Sequence, residues 1–168
     1  MNKTIYIIII GIILLLTVIT FTILNQGSQI SGKIDNVVYT DLDITFKPSS
    51  GSNIVTGNFL NNSSVTPDDQ NPGLYELGKT INVNPAIEKI PNYTVIYDKE
   101  TGVFNVSLLQ KPFGQSRFEA ESYLKSLLQI SEIEMCELSY SVTVPGFVDQ
   151  NASGIDYRFS FCPDATSL

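Results

Sequence analysis

Tyr93-Thr-Val-Ile-Tyr-Asp-Lys-Glu-Thr-Gly-Val-Phe-Asn-Val-Ser-Leu-Leu109 decides the fold. Two runs rich in β-branched and aromatic residues, 93–97 and 103–109, flank the hydrophilic Asp98-Lys-Glu-Thr-Gly102. Gly102 supplies the left-handed conformation that such a connection needs, so the stretch predicts a β-hairpin. Beyond Pro112 and Gly114, Ser116-Arg-Phe-Glu119 matches a capping box, in which a serine hydroxyl and a glutamate carboxylate satisfy the unpaired N–H groups of a starting helix. Phe118, Tyr123, Leu124, Leu127 and Leu128 follow at helical spacing, with Glu121 and Lys125 as an i,i+4 pair on the wet side. A helix over about 116–129, packed on a sheet, is expected.

Ser131-Glu-Ile-Glu134 repeats the box and predicts a short helical turn. Strands are then expected over 138–144 and 155–162, joined by the open loop 145–154, with Tyr157, Phe159 and Phe161 alternating against Asp156, Arg158 and Ser160. Hairpin, helix, hairpin makes the C-terminal half an α+β unit, one main helix on an antiparallel sheet. If Val144 lies opposite Ile155, facing residue numbers sum to about 299, which brings Cys136 close to Cys162. A structural disulfide between them is the expectation, stabilising the domain by roughly 2 to 5 kcal/mol. Two buried thiols are the alternative; a redox pair lacks the Cys-x-x-Cys spacing that would mark one.

Towards the N-terminus, Asp41-Leu-Asp-Ile-Thr-Phe-Lys47 alternates strictly and reads as a half-buried strand with Leu42, Ile44 and Phe46 inside. A turn over 48–53, a strand over 54–60 and a polar loop over 61–73 follow. Between 74 and 90 the pattern is ambiguous, with Tyr75, Leu77, Ile81 and Val83 suggesting short extended pieces. Residues 25–33, rich in Gln, Ser and Gly, read as a flexible tether.

Ile5-Tyr-Ile-Ile-Ile-Ile-Gly-Ile-Ile-Leu-Leu-Leu-Thr-Val-Ile-Thr-Phe-Thr-Ile-Leu24 carries no charge. As a helix it would be about 30 Å long, the hydrocarbon thickness of a bilayer. Lipid favours that helix over a strand despite the isoleucines, because an open strand would leave backbone groups unpaired. The exit Asn25-Gln-Gly-Ser28 has no small-residue cleavage site, so an uncleaved anchor is expected over a cleaved signal. Lys3 precedes the span and the next basic residue is Lys33, which places residues 1–4 in the cytoplasm and 34–168 outside. The expected organisation is therefore cytoplasmic tip 1–4, transmembrane anchor 5–24, tether 25–33 and extracytoplasmic α+β domain 34–168.

A net charge of −7 argues against nucleic acid as a partner. The chain has no histidine, which removes the commonest general base and the commonest transition-metal ligand. No residue is marked as catalytic, cofactor-binding or metal-ligating. Asp41 with Asp43, and Asp68 with Asp69, lack the ligand density of a calcium loop and read as solvated carboxylates. Glu132, Glu134 and Glu137 form an acidic patch at a helix start.

Phe104 to Leu168 resembles a group of uncharacterised single-span proteins of small-genome uncultured bacteria. The similar elements are Leu108-Leu-Gln-Lys-Pro112, Cys136-Glu-Leu138, Val144-Pro145 and Phe159-Ser-Phe-Cys-Pro163. The resemblance implies membrane attachment and a recurring cysteine pair, and no activity. The functional expectation is a non-enzymatic, membrane-tethered module with a protein or envelope partner. Its rivals are a glycosidase-like envelope enzyme working through two carboxylates and an accessory subunit of a membrane or secretion complex.

Overall fold

The hairpin at 93–109 is the centre of the molecule. The computed structural model describes residues 34–49, 51–81 and 91–168. The span expected at 5–24 and the tether at 25–33 lie outside them. Among the described residues, no helix is long and apolar enough to cross a membrane.

Among the described residues, eight strands form two sheets: β1 (Ile34–Tyr39), β2 (Asp43–Pro48) and β3 (Ile54–Gly57) in one, and β4 (Thr66–Pro67), β5 (Leu74–Ile81), β6 (Pro91–Asp98), β7 (Val103–Leu108) and β8 (Tyr140–Thr143) in the other, each in that spatial order. Two helices, α1 (Phe113–Leu128) and α2 (Glu132–Glu137), connect β7 to β8. The fold is α+β with one main helix, as expected.

The β6–β7 turn forms as its sequence predicts. Asp98 Oδ1 accepts from the N–H groups of Glu100 and Thr101 at 2.9 and 3.3 Å, and Gly102 takes a φ of +71°. Tyr93, Val95 and Tyr97 on β6 lie opposite Leu108, Val106 and Phe104 on β7, and all six are buried. The alternate positions Thr94, Ile96, Asn105 and Ser107 are half-buried or exposed, so one face carries the core. The small sheet packs on the end of this face near the turn. Phe46 of β2 and Phe59 of a 3-10 turn (Phe59–Asn61) meet Tyr97 and Phe104 at ring-centroid distances of 5.2 to 6.3 Å, within the range of favourable aromatic pairs. α1 covers the other end, where Tyr123 meets Tyr93 at 6.4 Å.

Close packing of α1 depends on a glycine. A Cβ at Gly78 of β5 would lie 2.5 Å from ring carbons of Tyr123, whose hydroxyl donates to the carbonyl of Leu77. We expect Gly78→Ala to cost roughly 1–3 kcal/mol in urea unfolding, the scale of overpacking. Combining it with Tyr123→Leu, which removes the obstructing ring, should cost less than the two single changes summed.

Several sequence expectations are corrected. The second hairpin does not form: β8 pairs with β7 in parallel, Phe104 opposite Tyr140 and Val106 opposite Val142, so the larger sheet is mixed. The connection through α1 and α2 is a crossover, which returns a strand parallel to the one it left. Residues 155–162 are not a strand. Tyr157 N–H does donate to the Val142 carbonyl at 2.8 Å, but the Asp156 carboxylate, in place of a backbone carbonyl, accepts from Val142 N–H at 2.9 Å. Arg158 then takes a φ of +60° and the chain turns away. This tail covers the edge of β8 without extending the sheet.

Leu42 is 80 % exposed, because Asp41 and Leu42 form the β1–β2 turn closed by a hydrogen bond from Thr40 N–H to the Asp43 carbonyl. The strand expected over 54–60 ends at Gly57, β1 and β4 form where the pattern assigned no strand, and β5 is one continuous strand where short extended pieces are suggested. α1 starts at Phe113 with Pro112 as its N-cap, one turn fewer into the chain than Ser116. Proline suits that position because its missing N–H is not needed there. Ser116 is buried inside the first turn and donates to the Gln110 carbonyl at 2.7 Å. Ser131 caps α2 as expected: its Oγ accepts from Glu134 N–H, while the Glu134 carboxylate accepts from Ser131 N–H and Oγ. The serine hydroxyl, then its N–H, hold the Glu134 carboxyl below its ordinary pKa.

Candidate functional site

The disulfide expected from the residue numbering is present. Cys136 on α2 and Cys162 in the tail are bonded, with Cα atoms 5.7 Å apart. Around it the tail is held by side chains. Tyr140 Oη donates to Cys162 Sγ at 3.1 Å and receives Arg158 Nε at 3.2 Å. The Arg158 guanidinium lies 5.2 Å from the Tyr140 ring centroid and pairs with Asp164 at 2.7 Å. Phe159 stacks on Tyr140 at 4.0 Å, and Phe161 on Phe159 at 5.5 Å.

Glu121 lies on the other side of the tail. It is not the wet half of a pair with Lys125: it is 4 % exposed, and its two oxygens accept from the Ser160 N–H and, at 2.7 Å, the Ser160 hydroxyl. Arg117, one turn earlier, places Nε 3.8 Å from Glu121 and donates through Nη1 to the carbonyls of Tyr157 and Thr166 at 3.3 and 2.8 Å. Lys125 instead reaches Glu132 at 2.6 Å, clamping α1 to α2.

This braced corner exposes apolar surface. Phe118, expected in the core, is 60 % exposed, and Ile133 is 75 % exposed. Ile133, Cys136, Phe161 and Pro163 line a hollow of about 320 Å³ flanked by Glu132 and Glu137. A second hollow of about 270 Å³, sharing Phe161 and Glu132, includes Phe118 and Lys125. The only cation in either lining is Lys125, which is already paired with Glu132. An apolar floor rimmed by Glu132 and Glu137, with Lys125 the one cation beside them, suits an apolar side chain flanked by a basic group.

The other sequence candidates do not gather here. Asp41 and Asp43 are exposed at the β1–β2 turn. Asp68 holds its own loop, its Oδ1 accepting from Gln70 and Asn71 N–H at 2.8 and 3.0 Å. The Gln70 N–H is the first reason that its pKa lies below the usual value. Among the described residues, no group of three acidic or cysteine side chains is placed to hold a metal ion. Glu121 and Arg117 were missed because a charged helix position reads as solvated unless its partner is known, and Ser160 lies 39 residues away. No family model, curated protein or solved structure matches the chain.

Proposed function

We propose that the chain is a membrane-tethered interaction module. Residues 5–24 anchor it, residues 34–168 stand outside the membrane, and the disulfide corner grips an apolar, basic-flanked segment of a partner protein. The observation that carries this reading is the exposure of Phe118 and Ile133 on a surface braced by a disulfide and by the Glu121 network. A surface whose backbone is braced beforehand loses less entropy on docking. The disulfide supports the exterior placement, since such bonds persist in oxidising compartments. The resemblance to single-span bacterial proteins points the same way.

The full chain, expressed in bacterial cells, tests both parts. It should remain with membranes through alkaline carbonate extraction, and its domain should be cut by protease added outside intact cells. A photoreactive residue at position 133 should give a discrete protein adduct that is lost when Phe118 is also changed to Ser. Release into the carbonate supernatant overturns the anchor. An adduct that persists with Phe118→Ser, or none at 133 where one forms at Lys99, overturns the contact face.

A further inference from the structure

A further concavity lies where the two sheets meet, away from the disulfide corner. Its volume is about 320 Å³, and it is lined by Tyr39, Asp41, Asn58, Asn61, Tyr75 and Lys99, among others. These groups arrive from β1, the β1–β2 turn, the 3-10 turn, β5 and the β6–β7 turn.

The wall is fixed before any ligand arrives. Tyr39 Oη donates to the Lys99 carbonyl at 2.7 Å and accepts from Tyr97 Oη at 2.7 Å, joining the two sheets. Asn58 Nδ2 donates to the Thr40 carbonyl at 2.8 Å, and Asn61 Nδ2 to the Asp41 carbonyl at 3.3 Å. Those bonds orient both amides. Asn58 Oδ1 is closed off from solvent, so Asn58 shapes the wall and offers no free group to the lumen.

The chemistry of the lining selects the class of ligand. It carries one carboxylate and one ammonium, Asp41 and Lys99, which cancel. Tyr39 adds no charge, since burial pushes its phenol above the ordinary value. An anion or a cation would therefore find no net attraction, while a ligand with many hydroxyls, each both donor and acceptor, would find partners for both roles. Lys99 Nζ lies over the Tyr39 ring at 4.9 Å, while Tyr75 adds flat apolar surface of the kind that packs against the C–H face of a sugar ring. Leu60 is the one aliphatic side chain in the lining, too little to hold an apolar ligand. At this volume, the low end of ligand pockets, the cleft takes one or two sugar units and not a long chain.

We propose that this cleft binds a neutral saccharide, with Asp41, Asn61 and Lys99 hydrogen-bonding its hydroxyls and Tyr75 packing on its ring. The supply of such a ligand rests on the exterior placement proposed above; the binding itself does not, and is measurable whichever way the chain is oriented.

The test uses the full chain in phosphatidylcholine nanodiscs, which avoid sugar-headed detergents, and saturation-transfer NMR with maltotriose, chitotriose and trigalacturonate. At least one neutral trimer should show saturation transfer at millimolar concentration, and trigalacturonate much less. Asp41→Ala and Asn61→Ala, both at exposed positions, should each weaken the neutral trimer about fivefold, the loss of roughly 1 kcal/mol, with thermal unfolding unchanged. Asp41→Asn, which leaves Lys99 uncompensated, should raise the response to trigalacturonate. Absence of transfer from both neutral trimers to the folded protein overturns the proposal. So does binding untouched by both alanine variants, or wild-type binding of trigalacturonate as strong as that of the neutral sugars.

Discussion

Removing the Cys136–Cys162 bond, by reduction or by the double change Cys136→Ala/Cys162→Ala, is expected to lower the unfolding free energy by about 3.5 kcal/mol. The figure follows from the 26-residue separation of the cysteines and the entropy that a cross-link of that span removes from the unfolded chain at room temperature. For a domain of this size the melting temperature should fall by roughly 10–15 °C. The loss should be concentrated in the tail. Residues 155–162 contribute no strand, and their attachment rests on the disulfide, side-chain hydrogen bonds and packed aromatics. Limited proteolysis of the reduced protein should therefore cut after residue 145 well before it cuts β6 or β7. Urea unfolding with and without reductant measures the first effect. A difference below about 1 kcal/mol would show that the side-chain contacts hold the tail without the bond.

That bond was legible in the sequence for a reason only half borne out. The sum of 299 assumed a hairpin, and one pair in that register does form, Tyr157 N–H to the Val142 carbonyl. The ladder stops there because Asp156 uses its side chain where a strand would use its carbonyl, and because Arg158 adopts a left-handed conformation that alternating polarity does not reveal. Alternation also could not tell β8's direction. Tyr140 and Val142 bury the same face whether β7 lies parallel or antiparallel. Local signals were read best where all their partners were local: Ser131 and Glu134 cap each other across three residues. Ser116 and Glu119 show the same pattern and fail as a cap, since Pro112 begins the helix earlier and Glu119 is drawn to Asn92 at 2.8 Å. The corner's exposed Phe118 was invisible for a related reason. α1 buries the row Ser116, Ala120, Leu124 and Leu128 with Glu121 beside it, so its inner face includes the polar Ser116 and Glu121 in place of Phe118.

Glu121→Ala should be the most damaging single substitution on α1 that removes no apolar packing, costing about 3 kcal/mol or more. Truncating the carboxylate leaves two Ser160 donors without their acceptor and leaves the Arg117 guanidinium, whose side chain is 12 % exposed, without its nearby countercharge. Arg117 Nε has no other partner among the described residues to which it could turn. An uncompensated buried charge is costly because its water has been removed and nothing replaces it; breaking one member of a buried pair costs roughly 3–5 kcal/mol, less where the partners are not in direct contact. Glu121→Gln separates the two contributions. It keeps one oxygen as an acceptor for Ser160 and removes the charge facing Arg117, so it should retain part of the stability. The double change Glu121→Ala/Arg117→Met, which removes the stranded cation while keeping an apolar stem, should cost less than Glu121→Ala alone. If the double variant is instead the less stable of the two in urea, the buried carboxylate matters through Ser160 alone, and Arg117 stabilises the tail through its bonds to the Tyr157 and Thr166 carbonyls.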